Sequence, residues 1–346
     1  MTIRVLIVDD SATMRAVLAA RLSGFPDIQV VGLSCNAAEA RAAIKELAPD
    51  VVTLDIEMPG MNGLDFLHKI MTLRPTPVII VSGLTQAGSD VTARALALGA
   101  LDCYCKTDYA GSAMQDGGKL AEMVRTAAQV NVHRARPVMP AHDAQASALA
   151  RTGTSGDTKV IAIGASTGGV EALQVLLSGF PADCPPTLIV QHVDARFAPS
   201  IARTLDASSP ATVCLAEPDM PITRGHIYLA PGDDRHMLLA GTSRLHVKLR
   251  NGEPITGHRP SVDALFASVA QRLGAQAVGI LLTGMGADGA RGLLAMHQAG
   301  AFTIAQDEAS CTVFGMPRVA ISMGAASLVA PLGRIAQHAF SGKVAA

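Results

Sequence analysis

At 346 residues, with 49% hydrophobic and 16% charged residues, the chain is long enough for two domains with separate cores, and neither half has a disordered composition. A formal net charge of -1 argues against nucleic-acid or anionic-membrane binding, which needs clustered Lys and Arg. No apolar run approaches the roughly 20 residues that span a bilayer, and no membrane insertion is expected.

The first segment, Met1 to Asp10, reads as a short strand ending in acids rather than as a signal peptide, so a cytoplasmic protein is expected. Six scattered cysteines (Cys35, Cys103, Cys105, Cys184, Cys214, Cys311) fit reduced thiols, and the close pair Cys103 and Cys105 lacks a second ligand pair for zinc. Strand-like runs follow at Val5–Val8, Ile28–Val31, Val51–Leu54, Val78–Val81 and near Cys103. Helical spacing lies between them at Met14–Leu22, Ala37–Leu47, Gly63–Leu73 and Asp90–Leu98. Continuous β-branched runs alternating with helices predict a parallel sheet covered on both faces, with ligands at the strands' carboxyl ends.

Asp9 and Asp10 follow the first strand and Asp55 the third, so their carboxylates should converge at one sheet edge. Like charges that close call for a cation, and oxygen-only donors favour Mg²⁺. Ser82 after the fourth strand and Lys106 after the fifth add a hydroxyl and an ammonium, a set suited to phosphoryl transfer onto a carboxylate.

Val8-Asp9-Asp10-Ser11, Leu54-Asp55-Ile56-Glu57-Met58-Pro59 and Gly60-Met61-Asn62-Gly63 resemble the motifs of a response-regulator receiver domain. The resemblance implies Asp55 as phosphoacceptor, Asp10 and Asp55 as Mg²⁺ ligands with Asp9 in support, and Ser82 and Lys106 as contacts of the phosphoryl group. It also implies a histidine kinase as phosphodonor. Two departures concern the transmission surface: Thr107 stands where the family usually has Pro, and the aromatic before the Lys is displaced within Cys103-Tyr104-Cys105.

Around Asn131–Asp157 no strand can be drawn, and Pro137, Pro140, Gly153 and Gly156 mark a linker in which Ala141–Ala150 has helical composition. A second α/β pattern begins at Lys159. Strands are expected at Val160–Ile163, Thr187–Gln191, Thr212–Leu215, His226–Leu229, Ala277–Thr283 and Phe302–Ala305, with a helix at Gly169–Leu177.

Gly164-Ala165-Ser166-Thr167-Gly168 fits the G-x-S-x-G turn that lifts a serine hydroxyl from a sheet edge. The same letters suit a phosphate-cradling turn of a nicotinamide-binding oxidoreductase, but the next strand ends in Gln191-His192 instead of the acid that reading needs. His192 is the favoured base because it ends a strand on the same edge as Ser166, whereas His226 begins one and His236, His246 and His258 follow no strand end. Asp288, in a Gly-rich loop after an apolar strand, is the favoured orienting acid, with Asp307 and Asp194 as competitors. A non-catalytic docking domain is a further alternative, disfavoured by the three intact groups.

Gly164–Gly169, Gln191-His192, Leu229-Ala230-Pro231-Gly232, His258-Arg259-Pro260-Ser261-Val262-Asp263, Thr283–Gly289 and Ala305-Gln306-Asp307-Glu308-Ala309-Ser310-Cys311 resemble the chemotaxis protein-glutamate methylesterase family. The resemblance implies Ser166 as nucleophile, His192 as base and Asp288 as its orienter, with Thr167 and the Met285 backbone helping to place the His and the oxyanion. It implies methyl esters of glutamate on chemoreceptors as substrate, deamidation of certain receptor glutamines as a second reaction, and no cofactor for hydrolysis. The expected architecture is α/β throughout: a flavodoxin-like doubly wound receiver over residues 1–125, a linker over 126–157, and a Rossmann-like methylesterase domain over 158–346. A monomer is expected.

Overall fold

The strands Val5–Val8, Val51–Val52 and Val78–Val81 are buried along their whole length, as the continuous apolar runs require of a sheet covered on both faces. A computed structural model describes residues 2–58, 63–83, 86–106, 113–130 and 159–341. The chain divides into two compact units, Met1–His133 and Arg134–Ala346.

In the first unit five parallel strands, β1 (Ile3–Val8), β2 (Ile28–Ser34), β3 (Val51–Asp55), β4 (Val78–Ser82) and β5 (Asp102–Cys105), lie in the order β2-β1-β3-β4-β5. That is the flavodoxin-like doubly wound order, with its ligand edge at the carboxyl ends of β1 and β3. Helices α1 (Ala12–Ser23), α2 (Ala37–Leu47), α3 (Gly63–Leu73), α4 (Gln86–Ala97) and α5 (Ala113–Ala128) connect and follow the strands. Local sequence starts two of them: Ser11 caps α1 by accepting from Met14 N–H, and Asn36 caps α2 by accepting from Glu39 N–H at 2.9 Å. α5 runs to Ala128, so the first residues of the expected linker are helical; residues 131–157, with the Ala-rich run, lie outside the described residues.

The second unit holds a seven-stranded parallel sheet ordered β14-β13-β12-β6-β7-β9-β8. Its strands are β6 (Val160–Ala165), β7 (Thr187–Gln191), β8 (Thr212–Leu215), β9 (His226–Leu229), β12 (Ala277–Leu281), β13 (Phe302–Gln306) and β14 (Leu328–Ala330). Between β9 and β12, where no strand is expected from the sequence, the chain forms an antiparallel hairpin, β10 (Arg235–Ala240) with β11 (His246–Asn251). Helices α6 (Gly169–Ser178), α7 (Ala198–Asp206), α8 (Val262–Leu273), α9 (Ala290–Gln298), α10 (Met316–Ser322) and α11 (Leu332–Ser341) complete it. Met237, Leu239 and Val247 of the hairpin share a buried cluster with Val262, Leu265, Phe266 and Val269 of α8. The hairpin thereby braces the helix whose first turn reaches the site. Among the described residues no helix is long and apolar enough to cross a membrane.

Candidate active site

Ser166 is the first residue past β6 and His192 the first past β7. Ala165 pairs with Gln191 in register, so the two side chains leave adjacent strand ends. His192 N–H donates to Ala165 O at 3.0 Å, and Ser166 N–H donates to Thr283 O at 3.0 Å. The Gln191 side-chain amide donates to Ser166 O at 2.9 Å. The Ser166 backbone is therefore tied on both sides. Gly168, at φ +73°, turns the chain into α6, a conformation that a residue with Cβ resists. A Cβ on Gly284 would lie 2.7 Å from Ser166 Cβ and 2.3 Å from Met316 Sδ, so glycine there keeps room beside the hydroxyl.

Asp288 arrives from the loop after β12. Its side chain is fully buried, and His192 Nε2 lies 2.8 Å from its Oδ2. The carboxylate also accepts from Val262 N–H (2.8 Å), Asp263 N–H (3.0 Å), Gly289 N–H (3.0 Å) and the Ser261 hydroxyl (2.7 Å). Those donors open α8 and cap α9, so the anion sits at two helix N-termini, where it is favoured. Burial alone would raise the Asp288 carboxyl. The hydrogen bond and charge of His192, with the Asp263 N–H and the Ser261 hydroxyl, outweigh burial and hold it below its ordinary value.

Facing the Asp288 carboxylate, Nε2 is the nitrogen that donates, and in the neutral ring this places the lone pair on Nδ1. Nδ1 is buried and has no hydrogen-bond partner among the described residues. It is the nitrogen free to take a proton. Among the described residues no hydrogen bond joins Ser166 Oγ to His192; such contacts often tighten only once substrate is bound.

The competing acids are engaged inside their own loops. Asp307 accepts from the N–H and hydroxyl of Ser310 (3.0 and 2.6 Å), and Asp194 pairs with Arg196 at 2.5 Å. His226 begins β9, at the opposite end of the sheet from Ser166. His236 lies buried in β10, where its Nδ1 accepts from Ser261 N–H. Of the supporting residues, Thr167 accepts the Thr283 hydroxyl on its carbonyl at 3.0 Å, and Met285 follows Gly284 with its side chain exposed.

In the first unit Val8 pairs with Leu54, which sets Asp9 beside Asp55. Asp9, Asp10 and Asp55 offer oxygens within 4.8 Å of one another, and Lys106 Nζ lies 2.5 Å from Asp55 and 3.0 Å from Asp9. Burial raises the Asp9 carboxyl; Lys106 opposes this, the Asp55 charge adds to it, and the net shift is upward. Burial would lower the Lys106 ammonium, but Asp55 and then Asp9 hold it above its ordinary value. Three carboxylates against one ammonium make an oxygen-only donor set that fits a hard divalent cation.

Ser82 is buried at the same edge, but its hydroxyl is turned to the carbonyls of Gly83 and Gly88, at 3.4 and 3.5 Å. Tyr104 points away from the pocket, accepting from Arg21 of α1. The displaced aromatic thus belongs to the core. Pro59–Asn62 and Thr107 lie outside the described residues.

A family model described as CheB methylesterase matches residues 161–339, and one for the response regulator receiver domain matches residues 5–110. The chain belongs to the CheB methylesterase family. It is 50% identical to protein-glutamate methylesterase/protein-glutamine glutaminase 1 of Caulobacter vibrioides, over 97% of this chain and 96% of that protein. The protein-glutamate methylesterase/protein-glutamine glutaminase of Bordetella pertussis is 46% identical, over 97% and 96%. The crystal structure of the Thermotoga maritima CheB methylesterase catalytic domain superposes with a TM-score of 0.52 at 33% identity, covering 54% of this chain and 99% of that one. As a member of this family the chain is an ester hydrolase carrying a receiver domain.

Two residues beside the CheB-type site were not singled out from spacing. Ser261, the N-cap of α8, bonds Asp288 directly, and its signal was the Ser-Val-Asp opening of an apolar helix. His258 stacks on His192 with ring centroids 3.8 Å apart. It follows no strand, so strand-end reasoning passed over it.

At the receiver pocket, Lys106→Ala is expected to destabilise the unit by roughly 3–5 kcal/mol in Mg²⁺-free buffer, because two buried carboxylates lose their counter-charge. Urea unfolding of the full chain measures this, and an unchanged midpoint would count against the pairing.

Proposed function

We propose that this chain removes methyl esters from glutamate side chains of chemoreceptors, and deamidates specific receptor glutamines, with phosphorylation of Asp55 raising the rate. The observation that carries the hydrolytic reading is the buried Asp288–His192 pair at the strand edge where Ser166 emerges. The names of the relatives support glutamate methyl esters and glutamines of a protein as the groups acted on.

Ser166 Oγ attacks the ester carbonyl while His192 Nδ1 takes its proton, and Asp288 stabilises the imidazolium through Nε2–H. Among the described residues the N–H groups of Thr167 and Gly168 make no hydrogen bond, so they are available to the oxyanion at the start of α6. The tetrahedral adduct collapses, and methanol leaves with the proton from His192. Water then loses a proton to His192 as it attacks the acyl-serine, which releases the glutamate carboxyl group and restores Ser166. For a glutamine substrate ammonia leaves in place of methanol.

In the receiver, Asp55 accepts the phosphoryl group from a histidine kinase, and Lys106 lies within reach of its new charge. Asp9, Asp10 and Asp55 would hold Mg²⁺, which supplies charge compensation during transfer. A small phosphodonor is expected to stimulate methanol release from methylated receptor. Asp55→Ala should leave basal turnover and abolish that stimulation; full stimulation of the variant would sink the regulatory reading.

A further inference from the structure

We propose that His258 is a positioning residue for the base, holding the His192 ring in its working plane by face-to-face stacking. The two rings lie 3.8 Å apart at an interplanar angle of 9°. Asp288 fixes His192 at one atom, Nε2, and a single hydrogen bond leaves the ring free to swing about that contact. A second ring against its face removes this freedom, so that Nδ1 keeps its direction as the serine proton moves.

His258 is itself presented by a built turn. Ile255 and His258 exchange main-chain hydrogen bonds, each 3.0 Å, across Thr256 at φ +52° and Gly257 at φ +82°. Positive φ at a β-branched residue is disfavoured and persists only where its surroundings enforce it. The enforcement is visible. The Thr256 hydroxyl donates to Asp263 Oδ2 at 2.8 Å, and Asp263 Oδ1 accepts from Gly292 N–H at 2.7 Å. Arg259 adds bonds to Gly252 O and to Asp234, each 2.8 Å. One turn is thus anchored to α8, α9 and the segment after β11, and its outcome is a ring lying on His192.

The charge state suits this role. Burial, then the neighbouring His192, lower the His258 ring below its ordinary value against an opposing pull from Asp288. A neutral ring tolerates an imidazolium across its face, whereas a second cation there would oppose the proton transfer.

The proposal rests on Ser166 and His192 being nucleophile and base, and its test keeps the two readings apart. In the full-length protein, methanol release from methylated receptor is measured for wild type, Ser166→Ala, His258→Ala, His258→Gln and His258→Phe. His258→Ala and His258→Gln are expected to lose about 10- to 100-fold in kcat with KM nearly unchanged, the scale of a misplaced catalytic group. His258→Phe keeps a flat ring and should retain most of kcat. Nitrogen-15 shifts of the His192 imidazole should sharpen toward one tautomer in wild type and His258→Phe and average in the other two.

An active wild type, an inactive Ser166→Ala and a fully active His258→Ala would overturn the positioning role alone. Turnover retained by Ser166→Ala would overturn the underlying mechanism. A His258→Phe variant as weak as His258→Gln would also overturn stacking, by assigning the effect to the imidazole nitrogens. Should His258→Ala lower the urea midpoint, the comparison of Phe with Gln decides.

Discussion

Replacing Ser166 by alanine is expected to reduce methanol release from methylated receptor on the order of 10⁵- to 10⁶-fold, the scale set by removing a serine nucleophile. The loss should be chemical and not structural. Among the described residues the Ser166 hydroxyl makes no hydrogen bond, while its backbone N–H and carbonyl are held by Thr283 and Gln191, bonds that alanine keeps. The unfolding free energy from urea titration should therefore change by less than about 0.5 kcal/mol. Binding should survive as well, because the oxyanion donors at the start of α6 belong to the backbone. Turnover within tenfold of wild type would remove Ser166 from the mechanism and revive a reading in which Gly164–Gly169 only shapes a turn.

Much of this was legible from residues alone because parallel sheets write their ligand edge into the sequence. Each of β1, β3, β6, β7 and β12 is an apolar run, and Asp9, Asp55, Ser166 and His192 lie at or within one residue of such a run's end. The hairpin β10–β11 was not legible, since Arg235, His236, His246, Lys248 and Arg250 interrupt its apolar positions and its burial depends on α8 packing against it. β14 is only three residues long, too short for any periodicity.

The site divides in the same way. Ser166 and His192 are set by strand register, whereas His258 and Ser261 reach the centre through a turn and a helix cap whose destination is tertiary. Ser82 ends β4, with its hydroxyl on the carbonyls of Gly83 and Gly88, because a strand end fixes where a side chain starts and not which carbonyl its hydroxyl finds.

Asp288→Asn is the second large effect, and here activity and stability should fall together. The amide cannot accept along both edges as the carboxylate does. Oδ1 takes Ser261, Asp263 and Gly289, while Oδ2 takes His192 and Val262, so whichever edge carries the NH₂ group faces donors. If it faces His192, the ring is driven to the tautomer with a proton on Nδ1 and can no longer act as base; the loss in kcat is expected to be about 10⁴-fold. If it faces the helix ends, buried N–H groups lose their acceptor at roughly 1–3 kcal/mol each.

The pH dependence separates this from simple misfolding. The folded Asp288 carboxyl lies below its ordinary value, so its stabilising contribution is present above the unfolded pKa of about 3.9 and drains away as pH falls through the folded one. Urea midpoints of wild type and Asp288→Asn should therefore differ most near neutral pH and converge on strong acidification. A constant difference across that range would mean that the carboxylate is not the charged anchor joining His192 to the starts of α8 and α9.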